Sequence, residues 1–154
     1  MITTTLNTKG LDALAKRLSA LARLKVKTGF FEEDKYDDGI QVAQVAAWNE
    51  HGTRFHPERP FMKEALQDKG NRQKIINILK LAIKSAIKGD GASRRIMQSL
   101  GRLVVDEIKV TIANYPGSNS PATVARKGFD RPLYDTGKMI ESVRFKVGNG
   151  AGFA

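Results

Sequence analysis

Cysteine is absent from this chain. Disulfide scaffolds, cysteine-ligated zinc and thiol catalysis are therefore excluded. Histidine occurs twice, at His51 and His56. A zinc site needs three or four ligands, and no second ligand cluster stands near that pair, so the bland reading is surface or packing histidines. Aromatic residues are 7% of the chain and few of them lie among the basic ones, which gives base stacking on single strands little to work with. No run approaches the roughly 18 consecutive apolar residues of a membrane span. The first residues, Met-Ile-Thr-Thr-Thr-Leu-Asn-Thr, lack the basic flank and apolar stretch of a signal peptide. The expectation is a soluble protein of a reducing compartment.

What is present is 154 residues, 41% of them hydrophobic, with 26 Lys and Arg against 16 Asp and Glu, a balance of +10. This length predicts one domain, able to bury roughly 68–70% of its unfolded surface. The positive field raises the local concentration of any polyanion, whether nucleic acid, acidic membrane or acidic protein, and specifies no reaction.

Leu11 to Leu24 reads as an amphipathic helix, with Leu11, Leu14, Ala15, Leu18, Leu21 and Ala22 on one stripe. Lys25 to Phe31 alternates as a half-buried strand does. Glu32 to Gly39 is an acidic loop holding five of the sixteen acids. It lacks the spacing of a calcium loop and reads as a solvated connection. Ile40 to Asn49 is helical and apolar nearly all round, which predicts burial on more than one side, with Gly52 as a left-handed cap beyond it. From Pro60 the pattern is helical as far as Gly89, either as two helices kinked at Gly70 or as one that tolerates that glycine. Its later stripe is Ile75, Ile78, Leu79, Ala82, Ile83, Ala86 and Ile87. Ser93 is a good N-cap for a further helix running to about Asn114. Tyr115 to Pro121 is a loop, Ala122 to Lys127 one helical turn, and Asp135 or Thr136 a cap for a last short helix. Val143 to Val147 alternates as a strand. The expected fold is α+β: a small antiparallel sheet packed with several helices, two of them long, in one domain over residues 1–147, with 148–154 as a flexible tail. Two strands rarely make a stable free sheet, so either a strand near Thr53–His56 or neighbouring subunits must complete it.

The search for chemistry finds no nucleophile–base–oxyanion constellation, no Walker sequence and no G-x-S-x-G. A small hydrolase would need a converging polar pocket, and no enzyme or cofactor is predicted. Ten basic residues, from Lys63 to Arg102, lie along the two long helices against three acids in the same segment, Glu64, Asp68 and Asp90. Lys80, Lys84 and Lys88 step by four and share a face; Arg94, Arg95 and Arg102 follow on the next helix. They are either the solvated side of amphipathic helices or a sequence-blind phosphate-facing surface. Trp48, the single tryptophan, and Phe61 are either core or interface anchors.

One stretch is more specific. It runs Gly29-Phe30-Phe31, Tyr36-x-Asp38-Gly39, Val42-Ala43-x-Val45-Ala46-x-x-Asn49-Glu50-x-Gly52-Thr53, then Pro57-x-Arg59-Pro60-Phe61-Met62. A second runs Ser120-Pro121-x-Thr123, Arg126-Lys127-Gly128, then Pro132-Leu133-x-Asp135-Thr136-Gly137-x-Met139-x-x-Ser142-Val143. In their order and spacing these pieces resemble the neck and tail-completion proteins of tailed bacteriophages, a group that includes Mu-like virion-morphogenesis proteins and lambda-like minor tail proteins. The long helical middle carries no diagnostic residue.

The resemblance implies a small α+β structural subunit of the virion, assembled in the host cytoplasm. It would form a homo-oligomeric ring, a hexamer, at the head–tail junction. Its partners would be portal-adaptor or connector proteins, a tail terminator or tail tube protein, and genomic double-stranded DNA in the lumen, with no membrane. A subset of Lys80, Lys84, Lys88, Arg94, Arg95 and Arg102 would face that DNA. Trp48, Asn49, Glu50, Arg59, Phe61, Asp135 and Thr136 are the candidate subunit or partner contacts, and each also has a structural reading: Glu50 as a helix end pairing with Arg59, Asp135 and Thr136 as caps. The alternative is a sequence-nonspecific nucleic-acid-binding protein.

Overall fold

A computed structural model of the chain describes residues 8–150. Helix α1 (Lys9–Arg23) runs directly into strand β1 (Leu24–Gly29). Four helices follow the acidic loop: α2 (Val42–His51), α3 (Phe61–Gln67), α4 (Lys69–Lys88) and α5 (Ser93–Ala113). Two short helices, α6 (Pro121–Lys127) and α7 (Lys138–Glu141), lead to β2 (Arg144–Asn149). The architecture is α+β, seven helices and one antiparallel strand pair among the described residues.

The strand pair joins the two ends of the described chain, with Leu24 opposite Asn149 and Gly29 opposite Arg144. Gly148 and Asn149, assigned to the tail from sequence, are thus the last two residues of β2; residues 151–154 lie outside the described residues. Thr53 and His56 form an isolated bridge closing a tight turn, so no third strand arises there. Alternation puts Val26, Phe145 and Val147 on the inner face, against α5 and its neighbours. Lys25, Lys27, Arg144 and Lys146 take the outer face.

Helix α5 is the spine. Its Val105, Ile108 and Ile112 close one core with Val42, Phe61, Leu133 and Val143, and its Met97 and Leu100 close a second with Ala82 of α4. At Gly101 the Phe145 ring lies where a Cβ would stand, so the helix passes the sheet at a distance only glycine allows.

Several local expectations are corrected. The break between α3 and α4 falls at Asp68, not Gly70: Asp68 is extended (ψ 131°), and its carboxylate accepts the Asn71 N–H at 2.9 Å, capping α4. Ser93 does not cap α5. Asp90 takes the Ala92 N–H at 3.0 Å, while the Ser93 hydroxyl turns back to the Ala82 carbonyl. Asp135 does not cap α7, which starts after a left-handed Gly137; Thr136 Oγ1 accepts the Lys138 N–H at 3.4 Å. Gly52 has φ 70° and ψ 175°, an extended positive-φ shape and not a helical left-handed cap. A Cβ there would come within 2.8 Å of the Glu58 nitrogen, so glycine lets the 52–58 turn fold back on itself.

Helix α2 buries only Val42 and Ala46, one side instead of several, because Gln44, Ala47, Trp48 and His51 turn outward. The acidic loop is not a free connection. Asp34 pairs with Arg144, and Glu33 pairs with Lys146 at 3.0 Å, so carboxylates neutralise the outer face of the sheet. The stripe of α1 contains no buried residue; Leu11 and Leu18 remain exposed although the helix packs on α4.

Candidate functional site

Four of the seven candidate contact residues converge. Asn49, Arg59, Asp135 and Thr136 line one pocket of about 310 Å³, between the end of α2, helix α6 and the turn before α7. Each arrives by a traceable local device. The Asn49 amide donates to the Val45 carbonyl at 2.9 Å, and the Asn49 carbonyl accepts the Arg59 N–H at 2.6 Å. Helix α6 is set by Ser120, whose hydroxyl takes the Thr123 N–H, and it ends at a left-handed Gly128. This brings Arg126 to Asp135 at 3.2 Å. Buried Leu133 holds a positive φ of 58°, a conformation unfavourable to a branched side chain and tolerated where the surroundings impose it.

Three positive groups meet here. Arg59 donates to the Ser118 carbonyl at 3.5 Å and Lys127 to the Arg131 carbonyl at 2.8 Å, while Arg126 holds Asp135. Burial holds the Lys127 ammonium below the ordinary lysine range; Arg126 and Arg59 push the same way against Asp135 and Asp130. In the same pocket the Tyr36 hydroxyl is pushed up, first by burial and then by Asp135 and Asp38. The pocket thus mixes cations with carboxylates, Asp135 lying against Arg126 and acting on the Tyr36 phenol as well. Arg126, Lys127 and Tyr36 belong to the quoted motif pieces but were not among the candidate contacts; Arg126-Lys127 closes a short helix just before a glycine, which acquires meaning only when the Asp135 turn folds over it.

The other candidates fall elsewhere. Glu50 caps α3, its carboxylate accepting the Met62 and Lys63 N–H groups, both at 2.9 Å. Glu50 and Arg59 make no ion pair, since each is engaged in a different direction. Phe61 is fully buried at the centre of the larger core and meets Phe30 edge-on at 6.1 Å, so it is no surface contact. The proline before it starts α3 and turns the first helical side chain inward. Trp48 is 44% exposed, so it is not a core residue.

The six basic candidates do not form one surface. Lys80, Lys84 and Lys88 are exposed along α4, opposite its buried Ala82 and Ala86. Arg94 turns to β2 and donates to the Val147 carbonyl at 3.2 Å. Arg95 and Arg102, seven residues apart on α5, share another side, where Arg102 approaches Ser99. The lysine row is bordered by exposed Ile76, Leu79, Ile83 and Ile87, so this face is aliphatic as well as basic.

No three acidic or histidine side chains are grouped to hold a metal ion among the described residues, and no helix there is long and apolar enough to cross a membrane. Family models, curated proteins and solved structures were all compared with the chain, and none matches it.

Proposed function

We propose that this chain is a structural virion subunit of a tailed bacteriophage, forming a ring at the head–tail junction that joins the connector to the tail tube and lets DNA pass. One observation carries the reading: the separate sequence pieces that resemble such proteins are tied to one another in space. The Asn49-Glu50 helix end caps and hydrogen-bonds the Arg59-Pro60-Phe61 helix start, and Asn49 and Arg59 share a pocket with Asp135 and Thr136. Residues far apart in sequence thus act as one framework, as a shared family pattern requires. Support also comes from the surface. Trp48 and the Ile76–Ile87 strip leave more aliphatic and aromatic area outside than a monomer needs, which suits subunit packing. The strand pair has open edges that neighbours can extend.

Light scattering on the purified protein, followed by electron microscopy, tests this. A closed ring is expected, the resemblance implying a hexamer. A stable monomer that binds duplex DNA with a steep salt dependence overturns it in favour of the nonspecific nucleic-acid reading, which the exposed Lys80, Lys84 and Lys88 row supports. A ring with that row on its outer wall removes the DNA-facing assignment and leaves the connector role standing.

A further inference from the structure

We propose that the pocket between α2, α6 and the 133–138 turn binds a single carboxylate side chain presented by a partner protein. The inference does not depend on the ring: it follows from an excess of donors in a small concave space. Arg59, before α3, and Arg126 and Lys127, at the end of α6, come from two segments and line a pocket of about 310 Å³. A guanidinium carries five N–H donors and an ammonium three. Arg59 commits one donor to a carbonyl at 3.5 Å, Lys127 one at 2.8 Å, and Arg126 one to Asp135. Gathering three like charges costs free energy, which an anion between them recovers, and an Arg pair suits the planar two-oxygen geometry of a carboxylate.

The same pocket selects against a nucleic-acid backbone. Asp38 and Asp135 line it too, Asp135 held against Arg126 at 3.2 Å and both acting on Tyr36. A duplex brings one negative charge for roughly every 1.7 Å of its axis, so charges flanking the bound phosphate would meet those carboxylates. A lone carboxylate brings a single charge against them. The floor is Val45, Leu133 and Met139, apolar surface against which the methylene stem of a glutamate packs. One negative group on a short apolar stem is the chemistry of an acidic protein side chain.

The test follows backbone amide signals of the isotope-labelled chain at low ionic strength while hexaglutamate is added, and in parallel a short DNA duplex. Hexaglutamate is expected to move the signals of Thr123, Arg126, Thr136 and Lys138. The Arg59→Gln/Arg126→Gln variant should weaken binding by about tenfold or more, the loss of one charge-assisted hydrogen bond. The Lys80→Gln/Lys84→Gln/Lys88→Gln variant, with a greater loss of positive charge, should change it by less than about twofold. Equal weakening by both variants would show diffuse attraction and sink the proposal. So would the duplex moving the same signals at lower concentration, which would make this a phosphate site. Unmoved pocket signals at saturating hexaglutamate, read on the unsubstituted chain and hence free of any folding defect, would also overturn it.

Discussion

Replacing Glu50 by alanine isolates the device that locks α2 onto α3. The Glu50 carboxylate accepts two N–H groups at the start of α3, Met62 and Lys63, each at 2.9 Å. That turn carries Phe61 into the core at zero exposure and Ala65 at 2%. Losing a helix cap costs about 1 kcal/mol, and losing a negative charge at the positive end of the helix dipole roughly another 0.3–1 kcal/mol. The Lys63 N–H is exposed and regains water, whereas the Met62 N–H is partly buried and regains less. The expected loss is therefore about 1.5–2 kcal/mol, or roughly 3–8 °C in Tm for a chain of this size. Glu50→Gln keeps one acceptor oxygen and loses the charge, so it should fall near half of that. Urea unfolding followed by Trp48 fluorescence measures both variants, with an unchanged slope expected because the native fold persists. A loss below about 0.5 kcal/mol, the range of an ordinary surface substitution, would refute the reasoning.

Two further predictions concern stability. Gly101→Ala gains about 1 kcal/mol of helix propensity but forces a methyl into the Phe145 ring, and overpacking of this kind costs about 1–3 kcal/mol. Denaturant melts should show net destabilisation, and the additional change Phe145→Leu should recover part of it; a stabilised single variant would show that the strand gives way freely. The Asp90 carboxyl is held below its ordinary value, first by the Ser85 hydroxyl and then by the Ala92 N–H, and Glu33 likewise by its own backbone N–H and then Lys146. A depressed folded-state pKa contributes stability that is present above the unfolded value and lost as pH falls through the folded one. Thermal melts should therefore be flat through neutral pH and decline below the ordinary carboxylate range, and Asp90→Asn should make that decline shallower; an identical acid limb in the variant would remove Asp90 from the account.

The parts of the fold that were legible are those set by local period. Alternation at Val26 and Thr28, and at Val143, Phe145 and Val147, located both strands, and three- and four-residue steps located the long helices. Their junctions were harder, because two residues competed for each. Asp68 and Gly70 both interrupt a helix, and the winner is the one whose side chain satisfies a free N–H. At α5 neither Asp90 nor Ser93 caps the first turn: Asp90 accepts the N–H of Ala92, just before the helix, and Ser93 turns back to Ala82. The pocket was legible by halves: Asn49, Arg59, Asp135 and Thr136 were candidate contacts, whereas Arg126 and Lys127 entered only as motif residues, since nothing local distinguishes a pocket cation from a solvated one.

Helix α2, where burial on more than one side was expected, bears on how far an apolar stripe reports burial. Periodicity shows that a stripe exists; burial requires a surface to cover it. Here that surface is a strand pair six residues long, whose inner face offers Leu24, Val26, Phe145 and Val147. Helix α5 occupies most of it. Helix α4 packs on α5 instead, with Ile75, Ile78 and Ala82, and Leu21 of α1, gathered around Met97 and Leu100, while Leu11, Leu18, Ile76, Ile83 and Ile87 stay exposed. The same shortage explains Trp48, because α2 is covered on one side only. A sheet too narrow for its helices leaves apolar rows outside, and on α4 that row runs alongside Lys80, Lys84 and Lys88. Counting those lysines as a phosphate-facing surface therefore misses half of what the face presents: a protein partner would cover the isoleucines, while DNA would leave them in water.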